Sequence, residues 1–155
     1  MAIITPNKMI VEDGHPGDPC GPSRKLIIGD AGGLTQFGTF VHILAPGSSS
    51  SLKHWHAGED EMIFVLAGEV TVIEGDVATL LHPGDAATFK AGDAVGHRVE
   101  NRSGTEVRFL VIGTRIPADT ITYPDHGLLL RYDEADPRGS WSDLNGAPAR
   151  NPYIG

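Results

Sequence analysis

Turns recur roughly every six to twelve residues between Gly29 and Gly104, and this spacing limits the chain to short elements. The turns are clusters rich in Gly, Pro and Asp, such as 30–33, 74–76 and 83–85. The runs between them are rich in β-branched and aromatic residues, and none sustains the 3.6-residue period of an amphipathic helix. Many short strands joined by Gly-rich turns indicate an all-β sandwich or barrel.

The runs between these turns predict a series of strands within a single domain. A length of 155 residues is comfortable for one domain and short for two. The predicted strands cover 9–11, 25–28, 35–44, 61–66, 69–73, 77–81, 87–89, 97–100, 106–113 and 128–130. We expect a barrel over about 25–116, an N-terminal arm at 1–24, and a polar, irregular wrapping segment at 117–155.

The charge balance makes some partners unfavourable. The formal net charge of −8 disfavours nucleic acid and anionic membranes. The N-terminus lacks a basic segment followed by an apolar run, and no apolar run approaches the ~20 residues of a membrane span. The single cysteine, Cys20, cannot form an intramolecular disulfide, which fits a reducing compartment. We therefore expect a cytoplasmic protein, and we assign Cys20 no role.

The stretch HWHAGEDE at 54–61 carries the densest group of potential metal ligands. Successive side chains of an extended chain point to opposite faces, so His54 and His56 point the same way. Trp55 then points the other way, where we expect it to pack in the core. Two imidazoles with a carboxylate a few residues on form most of a metal coordination shell.

A second set of residues downstream completes a recognisable spacing. The residues concerned are, in order, Gly47, His54, His56, Glu61, Gly68, Gly84, Gly92, His97 and Asn101. Their spacing resembles the two signature motifs of the cupin superfamily, Gly-x5-His-x-His-x3,4-Glu-x6-Gly and Gly-x5-Pro-x-Gly-x2-His-x3-Asn. Gly47 lies one residue too far from His54, Lys90 replaces the motif proline, and four residues separate Gly92 from His97. Every metal-ligand position is nevertheless filled.

The resemblance implies a double-stranded β-helix, or jelly-roll barrel, with a metal site inside. Carried over to this chain, the ligands would be His54, His56, Glu61 and His97. Glu61 would return on the strand next to the one that carries the two histidines. Three imidazoles and one carboxylate suit one divalent transition metal ion, namely Fe, Mn, Ni, Co, Zn or Cu.

Other polar residues near the motif receive a more ordinary interpretation. Glu59 and Asp60 compete with Glu61 for the carboxylate position, but the spacing to Gly68 favours Glu61. We therefore expect Glu59 and Asp60 to be solvated turn residues. The remaining histidines are expected at surface or turn positions; they are His15, His42, His82 and His126.

Several residues outside the ligand set are candidates for the pocket wall. Gln36 and Thr39 lie on a strand expected to line the barrel, and Asn101 occupies the last motif position or caps a turn. Three further candidates lie where the chain can fold back over the barrel mouth; they are Arg115, Tyr123 and Asp125. An arginine in such a pocket would favour a carboxylate or phosphate substrate.

Two kinds of function follow from a metal site in a barrel. The first is a metal-dependent enzyme acting on a small polar or anionic molecule, as an isomerase, dioxygenase, decarboxylase or lyase. The second is a module that binds a sugar, metabolite or metal without turnover; a purely structural barrel has no use for four ligands. Within the superfamily the sequence is similar to small bacterial single-domain cupins, many of which carry names that refer to sugar-phosphate isomerisation. Exposed sheet edges and the N-terminal arm favour a homodimer.

Overall fold

The computed structural model describes residues 1–154, and its regular structure is almost entirely β-strand. The strands are β1 (Ile10–Asp13), β2 (Ser23–Ile27), β3 (Phe37–Leu44), β4 (Trp55–His56), β5 (Glu61–Ala67), β6 (Val70–Glu74), β7 (Val77–Leu81), β8 (Ala86–Phe89), β9 (His97–Glu100), β10 (Val107–Thr114), β11 (Asp119–Tyr123), β12 (Leu128–Tyr132) and β13 (Ser140–Asp143). Two single 3-10 turns lie at Pro6–Lys8 and Pro124–His126. Within residues 1–154, no helix has the length and hydropathy needed to cross a bilayer.

The strands form two antiparallel walls. The first wall has the order β1-β2-β3-β10-β5-β8. The second wall consists of the sheets β7-β6-β9 and β13-β12-β11-β4, which an isolated bridge between His54 and His97 joins. Strands that are distant in sequence are neighbours in both walls, as in a jelly roll. The predicted all-β, double-stranded β-helix is confirmed.

The core fills one end of the barrel and leaves the other end open. The inner face of β3 carries Gly38, Phe40, His42 and Leu44 in alternation, and only Leu44, at the closed end, is fully buried in the apolar cluster. The cluster consists of Leu44, Ile63, Val65, Val70, Val72, Phe89, Val99, Val107, Phe109 and Val111. At the open end the inward positions of β3 and β10 are Gly38 and Gly113, which leave room there; the Arg115 side chain lies beside Gly38.

The register of the first wall places these glycines beside a predicted metal ligand. Gly113 of β10 is paired with Glu61 of β5 on one side and with Gly38 of β3 on the other. Four residues further along the strands, Phe109 is paired with Val65 and with His42. The barrel interior thus has an open level that contains Glu61 and a deeper level that contains His42.

Local turn chemistry agrees with the sequence in the hairpin at 74–76. Glu74 of β6 pairs with Val77 of β7 across a two-residue loop, and Gly75 has a φ of 56°. Two-residue hairpin loops need positive φ, which glycine adopts without a steric penalty.

The segment 117–155 differs from the irregular tail that the sequence predicted. Its strands β11, β12 and β13 form a sheet with β4, in which Thr122 pairs with Trp55 and Ile121 pairs with His56. The predicted strand at 128–130 corresponds to β12, whereas β11 and β13 were not predicted because they are short, polar and separated by turns. The segment is therefore attached to the strand that carries His56.

Candidate metal centre

The four predicted ligands converge from both walls of the barrel. His54, His56 and Glu61 each offer a ligand atom, and these atoms lie within 4.8 Å of one another. His97 of β9 places its Nε2 3.4 Å from Glu61 Oε2, and its ring centroid lies 5.1 Å from that of His54. The structure thus brings these four side chains together, while their role as ligands stays a prediction.

Glu61 reaches the group from a different direction than the sequence indicated. It was expected on the strand next to the histidine pair, but β4 belongs to the second wall and β5 to the first. The turn at 57–60 carries the chain across the barrel, so the carboxylate faces the imidazoles instead of lying beside them. Donors that face one another across a cavity can surround an ion.

In two of the imidazoles, the Nδ1 nitrogen already has a hydrogen-bond partner. Nδ1 of His54 lies 2.9 Å from the carbonyl oxygen of Leu52, and Nδ1 of His56 lies 2.8 Å from Asp119 Oδ2. Since these oxygens can only accept, each Nδ1 carries the proton and donates. In a neutral imidazole with this proton position the Nε2 lone pair is free, which is the tautomer that metal ligation by Nε2 requires.

Asp119 is a functional residue that the sequence analysis missed. Its carboxylate is buried; Oδ1 accepts a hydrogen bond from the Gly58 amide at 2.9 Å while Oδ2 accepts from His56. The alternation along β11 could have indicated this residue, because Asp119, Ile121 and Tyr123 occupy alternate positions and are all buried. A carboxylate on the buried face of a strand needs partners, and here the partner is a predicted ligand.

Glu59 and Asp60 are not simply solvated turn residues. Glu59 is half-buried, and its Oε1 accepts hydrogen bonds from the Tyr132 hydroxyl at 2.7 Å and the Ile116 amide at 3.3 Å. Asp60 is exposed, as predicted, yet its Oδ1 accepts from the Ala91 amide at 2.8 Å. Both residues border the cavity that contains the predicted ligands, so the prediction for Glu59 was wrong.

Aromatic rings hold two of the imidazoles in position. Phe89 stacks on His97 with ring centroids 3.6 Å apart, and Tyr123 stacks on His54 at 5.6 Å. Trp141 packs against Tyr123 at 5.0 Å, and the Tyr153 hydroxyl accepts a hydrogen bond from the Leu52 amide at 3.1 Å. The C-terminal segment therefore packs behind His54. Tyr123 is buried there, and burial raises the pKa of its phenol.

The charge states of the ligand side chains suit metal binding. Burial lowers the pKa of His54 to about 4, with smaller contributions from the neighbouring imidazoles. Burial raises the pKa of Glu61, but the His97 hydrogen bond and the surrounding histidines lower it more, so it lies below its ordinary value. At neutral pH His54 is therefore uncharged and Glu61 is ionised, which are the forms that bind metal.

The four predicted ligands border a cavity of about 310 Å³ that also includes Gly38 and Gly113 in its lining. Its apolar lining consists of Phe40, Ile63, Phe89, Val99, Phe109 and Val111. Its other lining residues include Lys25, Gly38, His42, Ser50, Ser51, Gly113, Thr114 and Arg115. A largely apolar wall with a few polar groups is typical of a small-molecule site.

Some predicted pocket residues lie elsewhere. Gln36 is exposed and precedes β3, and Thr39 does not border the cavity because strand alternation turns it away from Gly38 and Phe40. Asn101 is 1 % exposed, and its Nδ2 donates to the carbonyl oxygens of Leu44 and Thr105, at 3.0 and 2.8 Å. Asn101 thus caps a turn, the alternative that the sequence left open.

The residues expected at the mouth have mixed outcomes. Arg115 borders the cavity but is 41 % exposed and pairs with Asp30. Tyr123 lies behind His54 instead of at the mouth. Asp125 pairs with Lys53 at 3.1 Å and does not border the cavity. Of the three, only Arg115 borders the cavity that contains the four predicted ligands, and its charge is already paired with Asp30.

For the remaining histidines and Trp55, some of the predicted positions agree with the structure and others do not. His15, His82 and His126 are exposed, as predicted. His42 is 3 % exposed and lines the cavity, so its expected surface position was wrong. Trp55 is half-buried and lies outside the apolar cluster, where it borders a groove beside Glu74. Its predicted core position was therefore wrong as well.

Comparisons with known proteins agree with this geometry. A family model described as a cupin domain matches residues 40–113. A sugar phosphate isomerase of the cupin superfamily from Silicibacter pomeroyi is 33% identical, with a TM-score of 0.89, over 99% of this chain and 100% of that one. A protein from Acidithiobacillus ferrooxidans, provisionally named a sugar phosphate isomerase, is 26% identical over 86% of this chain and 83% of that one, with a TM-score of 0.77.

A third similar structure has a different name. It is a polyketide cyclase from Streptomyces resistomycificus, which is 25% identical over 74% of this chain and 79% of that one, with a TM-score of 0.58. A search of curated proteins found no significant match. The fold therefore carries more than one activity among its relatives, and the site decides between them.

Proposed function

The chain belongs to the cupin superfamily, and we propose that it is a metal-dependent isomerase acting on a small anionic molecule of the sugar-phosphate class. The observation that carries the proposal is the convergence of His54, His56 and Glu61 donor atoms inside a cavity of about 310 Å³. The similarity to a sugar phosphate isomerase over the whole chain supports this reaction class over the other candidates.

The donor set fits a divalent transition metal. His54, His56, His97 and Glu61 would hold the ion through three nitrogens and one carboxylate oxygen, a set that suits Fe, Mn, Ni, Co, Zn or Cu. The bound metal would act as a Lewis acid toward a substrate carbonyl or hydroxyl oxygen. Isomerisation needs only this polarisation and a proton shuttle, whereas a dioxygenase also needs a redox-active metal.

We assign the proton transfer to Glu59. This carboxylate borders the cavity next to the ligands, and hydrogen bonds from Tyr132 and Ile116 fix its Oε1. It is not needed as a ligand, since Glu61 fills that position. A carboxylate held in place at the edge of a small cavity can take a proton from one substrate carbon and return it to the next.

The experiment that tests the proposal begins with metal content. Wild type, His56→Ala and the control His82→Ala, which removes an exposed histidine, are reconstituted with each candidate metal and analysed by elemental analysis. We expect close to one equivalent of metal for wild type and control and a strong loss for His56→Ala. Less than about a tenth of an equivalent in wild type would refute the metal site.

Activity is then screened with aldose and ketose phosphates, alongside oxygen uptake and carbon dioxide release with small acids. Glu59→Gln keeps the hydrogen-bond acceptor for Tyr132, so we expect normal metal content with at least a hundredfold loss of isomerisation. Oxygen uptake or decarboxylation without isomerisation would move the chain to another reaction class. Metal binding with no turnover in any assay would make it a binding module.

A further inference from the structure

One pair of cavity residues has no part in the metal centre. Lys25 of β2 pairs with His42 of β3 in the sheet register, and both border the same cavity as the ligands. They lie at the deeper level, four residues along the strands from the row of Glu61, Gly113 and Gly38. At roughly 3.3 Å per residue, about 13 Å of strand separates the two levels.

Lys25 is a cation that forms no ion pair with its cross-strand neighbour on β1, Glu12. It is half-buried, and it takes part in none of the ion pairs found among residues 1–154. Its Nζ lies 5.4 Å from the centre of the Phe40 ring, which contributes attraction but no countercharge. Arg115 and Lys53, by contrast, each have a carboxylate partner. Lys25 is therefore a positively charged side chain at this cavity that has no ion-pair partner among residues 1–154.

His42 is a buried polar group without a partner. It is 3 % exposed, and its Nε2 makes no hydrogen bond within the described part of the chain. The rings of Phe40 and Phe109 flank it, with centroids 5.7 and 5.4 Å away. Buried polar atoms nearly always have a partner, because an unmade hydrogen bond carries a free-energy penalty. His42 itself borders the cavity, so a rotation of its ring toward a ligand bound there would supply the missing partner.

We propose that Lys25 and His42 form an anion subsite that holds the phosphate or carboxylate end of the substrate. Lys25 supplies the charge, and His42 supplies a hydrogen bond from its imidazole to an anionic oxygen. A substrate would then bind the metal with one end and this subsite with the other. The assignment rests on the proposed function for the identity of that substrate.

The test measures anion binding to the metal-free full-length chain, so that it is independent of the metal centre. Inorganic phosphate and malonate are titrated separately into wild type, Lys25→Met, His42→Phe and the control Lys8→Met by calorimetry in low-chloride buffer. We expect saturable binding of one anion to wild type and Lys8→Met. We expect at least tenfold weaker binding to Lys25→Met and at least threefold weaker binding to His42→Phe.

The outcomes separate the alternatives. A preference for phosphate or for malonate identifies the anionic group, and Lys25→Arg, which keeps the charge, should retain binding if Lys25→Met fails to fold. Unchanged affinity in Lys25→Met, or loss of binding only in Arg115→Met, would overturn the subsite. No saturable binding of either anion to wild type would overturn it too. A protein that binds an anion but no metal would keep the subsite and refute the proposed function.

Discussion

The burial of His42 predicts a specific loss of stability in acid. Burial, with a smaller contribution from the charge of Lys25, lowers the pKa of His42 to about 4 in the folded protein. In the unfolded chain its pKa is about 6.5. The folded state therefore binds fewer protons than the unfolded state within this window, and the free energy of unfolding falls as the pH falls from about 6.5 to about 4.

The size of this loss follows from the two pKa values. Each pKa unit corresponds to about 1.36 kcal/mol, so lowering the pH from about 7.5 to about 4.5 removes on the order of 2 to 3 kcal/mol through His42 alone. Carboxylates with lowered pKa values, such as Glu61 and Glu100, also contribute free energy of unfolding that is lost as the pH falls. A single wild-type measurement therefore cannot isolate the histidine, and a variant is needed.

The assay compares urea unfolding of metal-free wild type and His42→Leu at the two pH values. Leucine keeps an apolar side chain between Phe40 and Phe109 but cannot titrate. We expect the acid-induced decrease in the free energy of unfolding to be smaller in the variant than in wild type, by on the order of 2 to 3 kcal/mol. Equal decreases in the two proteins would refute the reasoning, because His42 would then titrate alike in both states.

Two further predictions concern the support of the site and the assembly of the chain. Asp119→Asn removes the charge that fixes the His56 tautomer, so we expect metal affinity to fall by roughly 10- to 100-fold in a competition assay with a chelating dye; unchanged affinity would show that the tautomer is set elsewhere. We also propose a homodimer formed through the N-terminal arm, because β1 lies at a sheet edge and exposes Ile10 and Val11. Light scattering should give the mass of two chains at micromolar concentration and of one chain after deletion of residues 1–14, and a monomeric full-length chain would contradict it.

The features that the sequence predicted well are those that depend on residues close together in the chain. Gly- and Pro-rich turns mark strand ends directly, so the positions of β3, β6, β7 and β9 follow from short windows of sequence. The spacing between His54 and His56 likewise fixes their common direction, since alternation along an extended chain is a local property.

The features that sequence missed depend on which distant strands become neighbours. His42 lies within an apolar run, and nothing local shows that its row on β3 faces a cavity instead of solvent. Asp119 meets His56 only because β11 pairs with β4, across 63 positions of sequence. The position of Glu61 depends in the same way on which wall each strand joins. The turn at 57–60 carries the chain from the second wall to the first, so Glu61 faces the histidines.

The pairing of β11 with β4 sets the minimum length of a working unit. The matched family segment ends at residue 113, before Asp119 and the aromatic residues that pack behind His54. A fragment cut to that segment would retain all four ligand side chains but lose the groups that hold two of them. The matched segment is therefore shorter than the unit that orients the predicted ligands, because Asp119 and Tyr123 lie beyond its end.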